Sequence, residues 1–289
     1  MTSIKTIKLA AVSRNYFNMP IWVADYCGLF EEENIQVDIE LYEPIDEVTE
    51  RLEKGQVQLA LGVTEHIILN HEAGGSLTII GGNVNKLPFS LIAKPSIREF
   101  NDLKNKVIGV SSKSAGSSSL IMKILETHGL RYPQDYELAE VGPILARWEK
   151  LQSGEIDAGL QGTPLNQIAL EQGYVSIVEP KNYFPHFQFT SLNVDKHWAK
   201  SNPQLVASFM RAFIRAHRLF FSDQKLMGEI AVKETGITRK HADIAWKEYT
   251  EENIFSAEGD ITLEGIQLSL IHISEPTRRT PISYAVFCL

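Results

Sequence analysis

Cysteine is nearly absent: Cys27 and Cys288 are the only two among 289 residues. That excludes a disulfide-stapled scaffold and any metal site built on clustered thiols. No apolar run reaches the roughly 18 residues needed to cross a bilayer. Positive charge is short as well. Twenty-eight basic residues against 36 acidic ones leave a net charge of −8, which excludes nucleic acid or an anionic membrane surface as the main partner. The signatures GxSxG, HExxH, CxxC and GxGxxG do not occur. With them go the usual pointers to a nucleophile, a metal or a dinucleotide, so no catalytic residue, metal or cofactor is assigned and the expectation is a binding protein rather than an enzyme. The opening MTSIKTIKLAAVSRNYF lacks the apolar core and small-residue cleavage site of a secretory signal, and a cytoplasmic location is expected of the sequence as written.

Hydrophobic residues make up 44% and charged ones 22%, proportions typical of globular proteins. The organising feature is an echo. Leu52–Thr64, LEKGQVQLALGVT, returns ninety-nine positions later as Leu151–Thr163, LQSGEIDAGLQGT, without a gap. Gly55 matches Gly154, Val57 matches Ile156, Leu61 matches Leu160 and Thr64 matches Thr163. Each copy reads as a helix ended by glycine, a buried strand, and a turn whose threonine caps the next helix. Two copies of one unit predict two similar lobes facing a cleft.

The last 22 residues, Leu268–Leu289, read LSLIHISEPTRRTPISYAVFCL. LSLIHISEPTR resembles a translated transposon-type sequencing adapter, and ISYAVFCL resembles its flow-cell end. This stretch is expected to be non-native, with the natural sequence truncated near Gln267, and is left out of fold reasoning.

Along the chain, Ile4–Val12 predicts a strand and Ile21–Phe30 a helix with Trp22, Val23, Tyr26 and Leu29 on one face. Strands at Ile35–Leu41, Gln58–Leu61 and Leu77–Ile80 alternate with helices at Asp46–Lys54 and Thr64–Ala73. That order predicts a parallel sheet with right-handed crossovers. Leu91–Ala93 leads out of the first lobe and the pattern restarts. Strands are predicted at Lys106–Val110, Tyr136–Val141, Ala158–Leu160 and Val175–Val178, and Phe189–Val194 returns. Beyond Asp195 the chain is helical, with a stripe at Leu205, Phe209, Phe213 and Leu219. The expected organisation is residues 1–90 and 191–267 as one lobe and 91–190 as the other, followed by the tail at 268–289.

In open α/β sheets, ligands sit beyond the carboxyl ends of the strands. The loop after the first strand brings Ser13, Arg14, Asn15, Tyr16 and Phe17: a cation and amides for a polar group, and aromatic rings for stacking. Equally, Phe17 fits a core and Arg14 a solvated surface. The serine-rich loop Ser111–Ser119 includes Ser112, Lys113, Ser114 and Ser117. Its small residues let the backbone approach an anion at a helix start, or they form a solvated loop. Thr64, Glu65 and His66 open a helix at the first echo and Gln161, Gly162 and Thr163 mirror them at the second; His66 also suits a structural role. Tyr183 and Phe184, in NYFPHF, are placed to close over a ligand or to shape a turn at Pro185.

The blocks MPIWVADYCGLFEEENIQVDI, LEKGQVQLALG, DLKNKVIGV and LQSGEIDAGLQGTP together resemble the nitrate/sulfonate/taurine-type substrate-binding proteins of ABC importers, from about residue 6 to 265. Thiamine-pyrimidine-synthase-like proteins share that superfamily. The resemblance implies an α/β, two-lobed type II periplasmic-binding-protein fold. In it, two parallel-core sheets are joined by a two-stranded hinge that closes on a small molecule. It also implies a membrane-bound ABC permease as partner, a monomeric state and a periplasmic setting. The sequence departs from it in having no export signal, no lipidated cysteine and no cysteine-rich motif of the pyrimidine synthase. The expected ligand is a small anion such as a sulfonate or carboxylate, with a pyrimidine-like heteroaromatic second. A cytoplasmic enzyme of pyrimidine- or thiamine-type cofactor biosynthesis on the same fold is the alternative function, and a ligand-sensing module a third.

Overall fold

A computed structural model describes residues 4–113 and 116–267; Ser114 and the tail at 268–289 lie outside the described residues. The chain forms two compact units, one from the residues up to Lys86 together with those from His186 onward, the other from Leu87 to Pro185. It passes between them at 86/87 and 185/186, just ahead of the strands at which the sequence placed the crossings.

The first unit opens with β1 (Lys5–Val12), α1 (Met19–Tyr26), α2 (Leu29–Glu32), β2 (Ile35–Tyr42), α3 (Ile45–Glu53), β3 (Leu59–Val63), α4 (Thr64–Glu72) and β4 (Leu77–Val84). The single helix expected over 21–30 is two helices, because Gly28 adopts a left-handed φ of 68° between them. Tyr26, expected on the inner face, is exposed, while every residue from Met19 to Ala24 is buried.

The second unit holds β5 (Phe89–Ala93), β6 (Val107–Val110), α5 (Gly116–Thr127), β7 (Glu137–Glu140), α6 (Ile144–Ser153), β8 (Ala158–Gly162), α7 (Leu165–Glu171) and β9 (Val175–Val178). The chain then returns to the first unit through β10 (Thr190–Asp195), α8 (Lys196–Ser201), α9 (Pro203–Ser222), α10 (Gln224–Thr235) and α11 (Arg239–Glu251).

The first sheet runs β2-β1-β3-β10-β4 and the second β7-β6-β8-β5-β9. β1 is parallel to β2 and β3, and β6 is parallel to β7 and β8. The sheets are not wholly parallel, because β10 lies antiparallel between β3 and β4, and β5 antiparallel between β8 and β9. Each of these strands follows a passage from the other unit rather than a helical crossover, so the handedness rule for βαβ connections does not bind it.

The echo in sequence is an echo in structure. Shifting β3 by ninety-nine positions lands on β8, and α3 lands on α6. Gly55 and Gly154 end the paired helices with left-handed φ values of 66° and 84°, a conformation glycine adopts without the Cβ clash. The threonine caps do not form. Val63 and Pro164 are the N-caps of α4 and α7, and the Thr64 hydroxyl instead donates to Ser191 Oγ at 3.1 Å.

In the first unit, α3 packs on β1 and β3, and α9 packs on α1. α9 buries Phe209, Ala212, Phe213, Ala216, His217 and Phe220. Leu205 and Leu219 of the expected stripe lie only half-buried at its margins. Residues 254–260 lie against β4, where the Gly82 N–H donates to Gly259 O at 2.7 Å. A Cβ on Gly82 would stand 2.0 Å from the Asp260 carbonyl oxygen. Gly82→Ala is therefore expected to push this segment off the strand at a cost of about 1–3 kcal/mol, as overpacking against backbone does. Chemical denaturation checks it; an unchanged midpoint would mean the segment moves freely.

Candidate functional site

Both sheets carry their candidate residues at or past the strand carboxyl ends. After β1, Ser13 takes a left-handed φ of 47°. Its N–H donates to Tyr42 O at 3.0 Å and its hydroxyl to Glu43 Oε2 at 2.9 Å. Asn15 caps the turn Tyr16–Asn18: its Oδ1 accepts from the Phe17 N–H, and its Nδ2 donates to Val12 O, each at 2.9 Å. Arg14 is exposed, as the surface alternative expected, but it is not unpaired. It forms an ion pair with Glu234, and its guanidinium lies 4.8 Å from the centre of the Trp22 ring. Tyr16 is 3% exposed, its ring edge-on to Tyr249 at 4.9 Å and to Phe220 at 6.3 Å. It belongs to the aromatic core, and burial holds its hydroxyl well above the usual tyrosine pKa. Phe17 is buried edge-on to Phe189.

At the start of α4, Thr64 and Glu65 are buried. His66 has both nitrogens engaged, Nδ1 with Thr49 Oγ1 at 3.1 Å and Nε2 near Asp46 Oδ1 at 3.4 Å. Burial lowers its pKa, with Asp46 and Glu53 opposing. These contacts join α3 to α4. Asn83, on β4, reaches across the same end of the sheet, donating to Phe17 O at 2.9 Å and Thr190 Oγ1 at 3.0 Å.

In the second unit, the serine-rich stretch is shorter as a loop than expected, because α5 begins at Gly116 and takes in Ser117. Ser112 is half-buried and Lys113 exposed. The Lys113 N–H donates to Glu140 Oε1 at 2.7 Å, so that donor faces a carboxylate. Ser114 lies outside the described residues. Gln161 and Gly162 end β8, opposite Ser90 and Phe89 on β5, and Thr163 follows it. Past β9, the half-exposed Tyr183 bonds through its hydroxyl to His128 Nε2 at 2.6 Å, and His128 stacks on Phe100 with ring centres 3.6 Å apart. Phe184 is half-buried in the turn that its N–H closes on Pro180 O.

The residue that sequence patterns missed is Arg147 on α6, 3% exposed. Its Nε donates to Leu160 O at 2.7 Å and its Nη1 to Ser111 Oγ at 2.9 Å. Among the described residues it has no carboxylate partner. Burial alone lowers its pKa, to about 10, so it stays charged at neutral pH. Beside it, Gln161 is fully buried, and neither amide atom has a hydrogen-bond partner among the described residues. The available signal was the echo itself, which sets Arg147 where the first copy has Val48.

Among the described residues no His/Cys/Asp/Glu group is arranged to hold a metal ion, and no helix is long and apolar enough to cross a membrane. A surface groove beside α3, lined by Pro44, Glu47, Arg51 and Gln56, has the Glu47–Arg51 ion pair in its wall and none of the candidate residues above.

Comparison with known proteins fits this architecture. The chain resembles the alkanesulfonate-binding protein of Xanthomonas axonopodis pv. citri bound to MOPS, with a TM-score of 0.75 at 14% identity, covering 92% of this chain and 90% of that one. It also resembles a Candida albicans protein described as having the generic periplasmic binding protein fold, with a TM-score of 0.67 at 12% identity, covering 97% and 99%. At such identities the likeness establishes the periplasmic-binding-protein fold. Among curated proteins, a 4-amino-5-hydroxymethyl-2-methylpyrimidine phosphate synthase of Saccharomyces cerevisiae is 26% identical over 231 residues, 72% of this chain and 64% of the yeast protein. A protein of the same name from Schizosaccharomyces pombe is 29% identical over 170 residues, 57% and 47%. The chain thus spans about 64% of the length of the first of these relatives. These names correct the expectation of a non-enzyme: the curated relatives are synthases, and the motif search missed this because site residues converge from distant positions and leave no short signature. The family description NMT1/THI5 like matches residues 15–225, and the chain belongs to that family.

Proposed function

We propose that the protein binds a small organic molecule at the carboxyl ends of its strands, with an anionic group such as a sulfonate or carboxylate as the favoured feature, and delivers it to an ABC permease. The observation that carries this reading is the doubled sheet, β2-β1-β3-β10-β4 and β7-β6-β8-β5-β9, in a fold shared with an alkanesulfonate-binding protein. Fold alone does not choose a ligand. In the second unit, the buried polar side chains of Gln161 and Arg147 supply the chemistry. A micromolar affinity needs about 8 kcal/mol, within reach of a few charge-assisted hydrogen bonds and apolar contact.

A second reading, synthesis of a pyrimidine phosphate, is favoured by the names of the curated relatives. One experiment separates them. Isothermal titration against alkanesulfonates, carboxylates and pyrimidines is expected to give saturable binding of at least one anionic compound, and mass spectrometry of the released ligand reads whether it has been converted. Conversion of a bound compound would move the assignment to the synthase reading. Binding of uncharged pyrimidines alone would remove the anion.

A further inference from the structure

Arg147 stands where the repeat of the fold puts Val48 in the first unit. Val48 is fully buried in an apolar cluster with Ala10, Leu52 and Ala60. Ala10 pairs with Ala60 across β1 and β3, and in the second unit Gly109 pairs with Gly159 across β6 and β8. Those two glycines make the space for the longer side chain. A Cβ on Gly159 would stand 3.0 Å from Arg147 Cγ and Cδ, and one on Gly109 3.4 Å from its Cγ. The arginine stem therefore lies over the sheet, and its buried guanidinium reaches the end of β6, where half-buried Ser111 accepts from Nη1.

The framework itself does not call for a charge here, because valine fills the same place in the first unit. A buried guanidinium facing no carboxylate is costly to keep, and replacing such a group with an apolar one is often neutral or stabilising. Gln161 adds a second independent anomaly. Side chains alternate along a strand, so Gln161 projects on the face of Gly159, the face that Arg147 covers. Its amide, with 0% exposure, has no hydrogen-bond partner among the described residues. A buried amide left unpaired costs free energy that a partner would recover.

We infer that Arg147, Ser111 and Gln161 form an oxyanion-binding subsite at the carboxyl end of the second unit's sheet, taking the sulfonate, carboxylate or phosphate end of a small molecule. The inference rests on the solute-binding reading above and names the group that would receive the anion. The guanidinium supplies charge and forked N–H donors. The Gln161 Nε2 adds a neutral donor, and its Oε1 accepts from a hydroxyl or amine on the same molecule.

The test titrates the full chain with methanesulfonate, acetate and inorganic phosphate by calorimetry, alongside the organic sulfonates, carboxylates and pyrimidines. Saturable binding of at least one small anion is expected. Arg147→Met is expected to weaken it about 30-fold or more, the loss of a charge-assisted pair, while its Tm equals or exceeds that of the parent. A purely structural arginine would instead lower Tm and leave affinity unchanged. Arg147→Lys is expected to fall between the two, and Gln161→Leu to weaken binding about tenfold, which keeps the test open if Arg147→Met does not fold. Unchanged affinity in these variants, or no saturable binding of any of the three anions by the parent, overturns the subsite. Organic solutes that still bind Arg147→Met would leave the solute-binding reading standing and remove only the subsite. Anion binding through Arg147 with no organic solute bound would do the reverse.

Discussion

Phe255→Ala is expected to lower the free energy of unfolding by about 4 kcal/mol, the usual cost of truncating an enclosed phenylalanine. Phe255 is fully buried. Its ring meets Tyr249 at 4.7 Å, Phe220 at 4.9 Å and His217 at 5.8 Å, all edge-on. Such aromatic contacts add about 0.5–1.5 kcal/mol beyond area burial. The position matters because Phe255 lies in the segment after α11 that rejoins the sheet through Gly259 and Asp260. Removing the ring opens a cavity between α9 and α11 and frees that segment together. Urea unfolding monitored by circular dichroism checks the figure. Leu263→Ala, at a 55% exposed site, is the control and is expected to stay within about 0.5 kcal/mol. A loss under about 1.5 kcal/mol for Phe255→Ala would mean that Tyr249 and Phe220 collapse into the space.

What the sequence made legible is what local patterns encode. The alternation of Ile35–Leu41, the buried run of β3 and the glycine that ends α3 have direct local causes, and the ninety-nine-residue echo carried them to β8 and α6. Direction across a sheet is different. Nothing within Phe189–Val194 tells β10 to lie antiparallel between β3 and β4; that follows from where the chain comes from. Site residues were legible only as loops. SRNYF contains a cation and two rings, yet no periodicity distinguishes a ring that faces a ligand from one held against Tyr249 and Phe220. The Arg14 partner Glu234 is 220 residues away, beyond any short window. Arg147 was hidden for the opposite reason, since an arginine on an amphipathic helix ordinarily reads as surface. Its match to the buried Val48, and Gly109 and Gly159, which clear its path, mark it as buried.

The repeat also separates structure from chemistry. Where the two units agree, as at Gly55 and Gly154 or Leu61 and Leu160, the residues serve the fold. Among the matched positions that differ, three neighbour one another: Val48 against Arg147, Ala60 against Gly159 and Gly62 against Gln161. One unit fills this place with a dry core. The other invests it with a charge and an amide, so the second unit differs in kind as well as in detail.

Acid is expected to weaken the fold before most carboxylates titrate, and His217 is the cause. The side chain is fully buried between Phe213, edge-on at 4.6 Å, and Phe255. Neither ring nitrogen reaches a partner with good hydrogen-bond geometry among the described residues. Burial pushes its pKa from 6.5 down to about 4, against a weaker pull from the Ser256 backbone and Asp260. The folded state thus favours the neutral ring. That contribution is complete above pH 6.5, falls as the pH drops because the unfolded chain takes up the proton first, and is exhausted below about pH 4. The gap corresponds to roughly 3 kcal/mol in all, about 2 of it gone by pH 5. His66 is shifted in the same direction by burial, so the parent profile alone does not isolate one histidine. His217→Leu, similar in size, does. Its unfolding free energy is expected to fall by about 2 kcal/mol less than the parent's between pH 7 and pH 5, measured by urea titration at each pH. Parallel profiles for the two proteins would show that His217 finds a partner when charged, and that the segment at 256–260 moves to supply it.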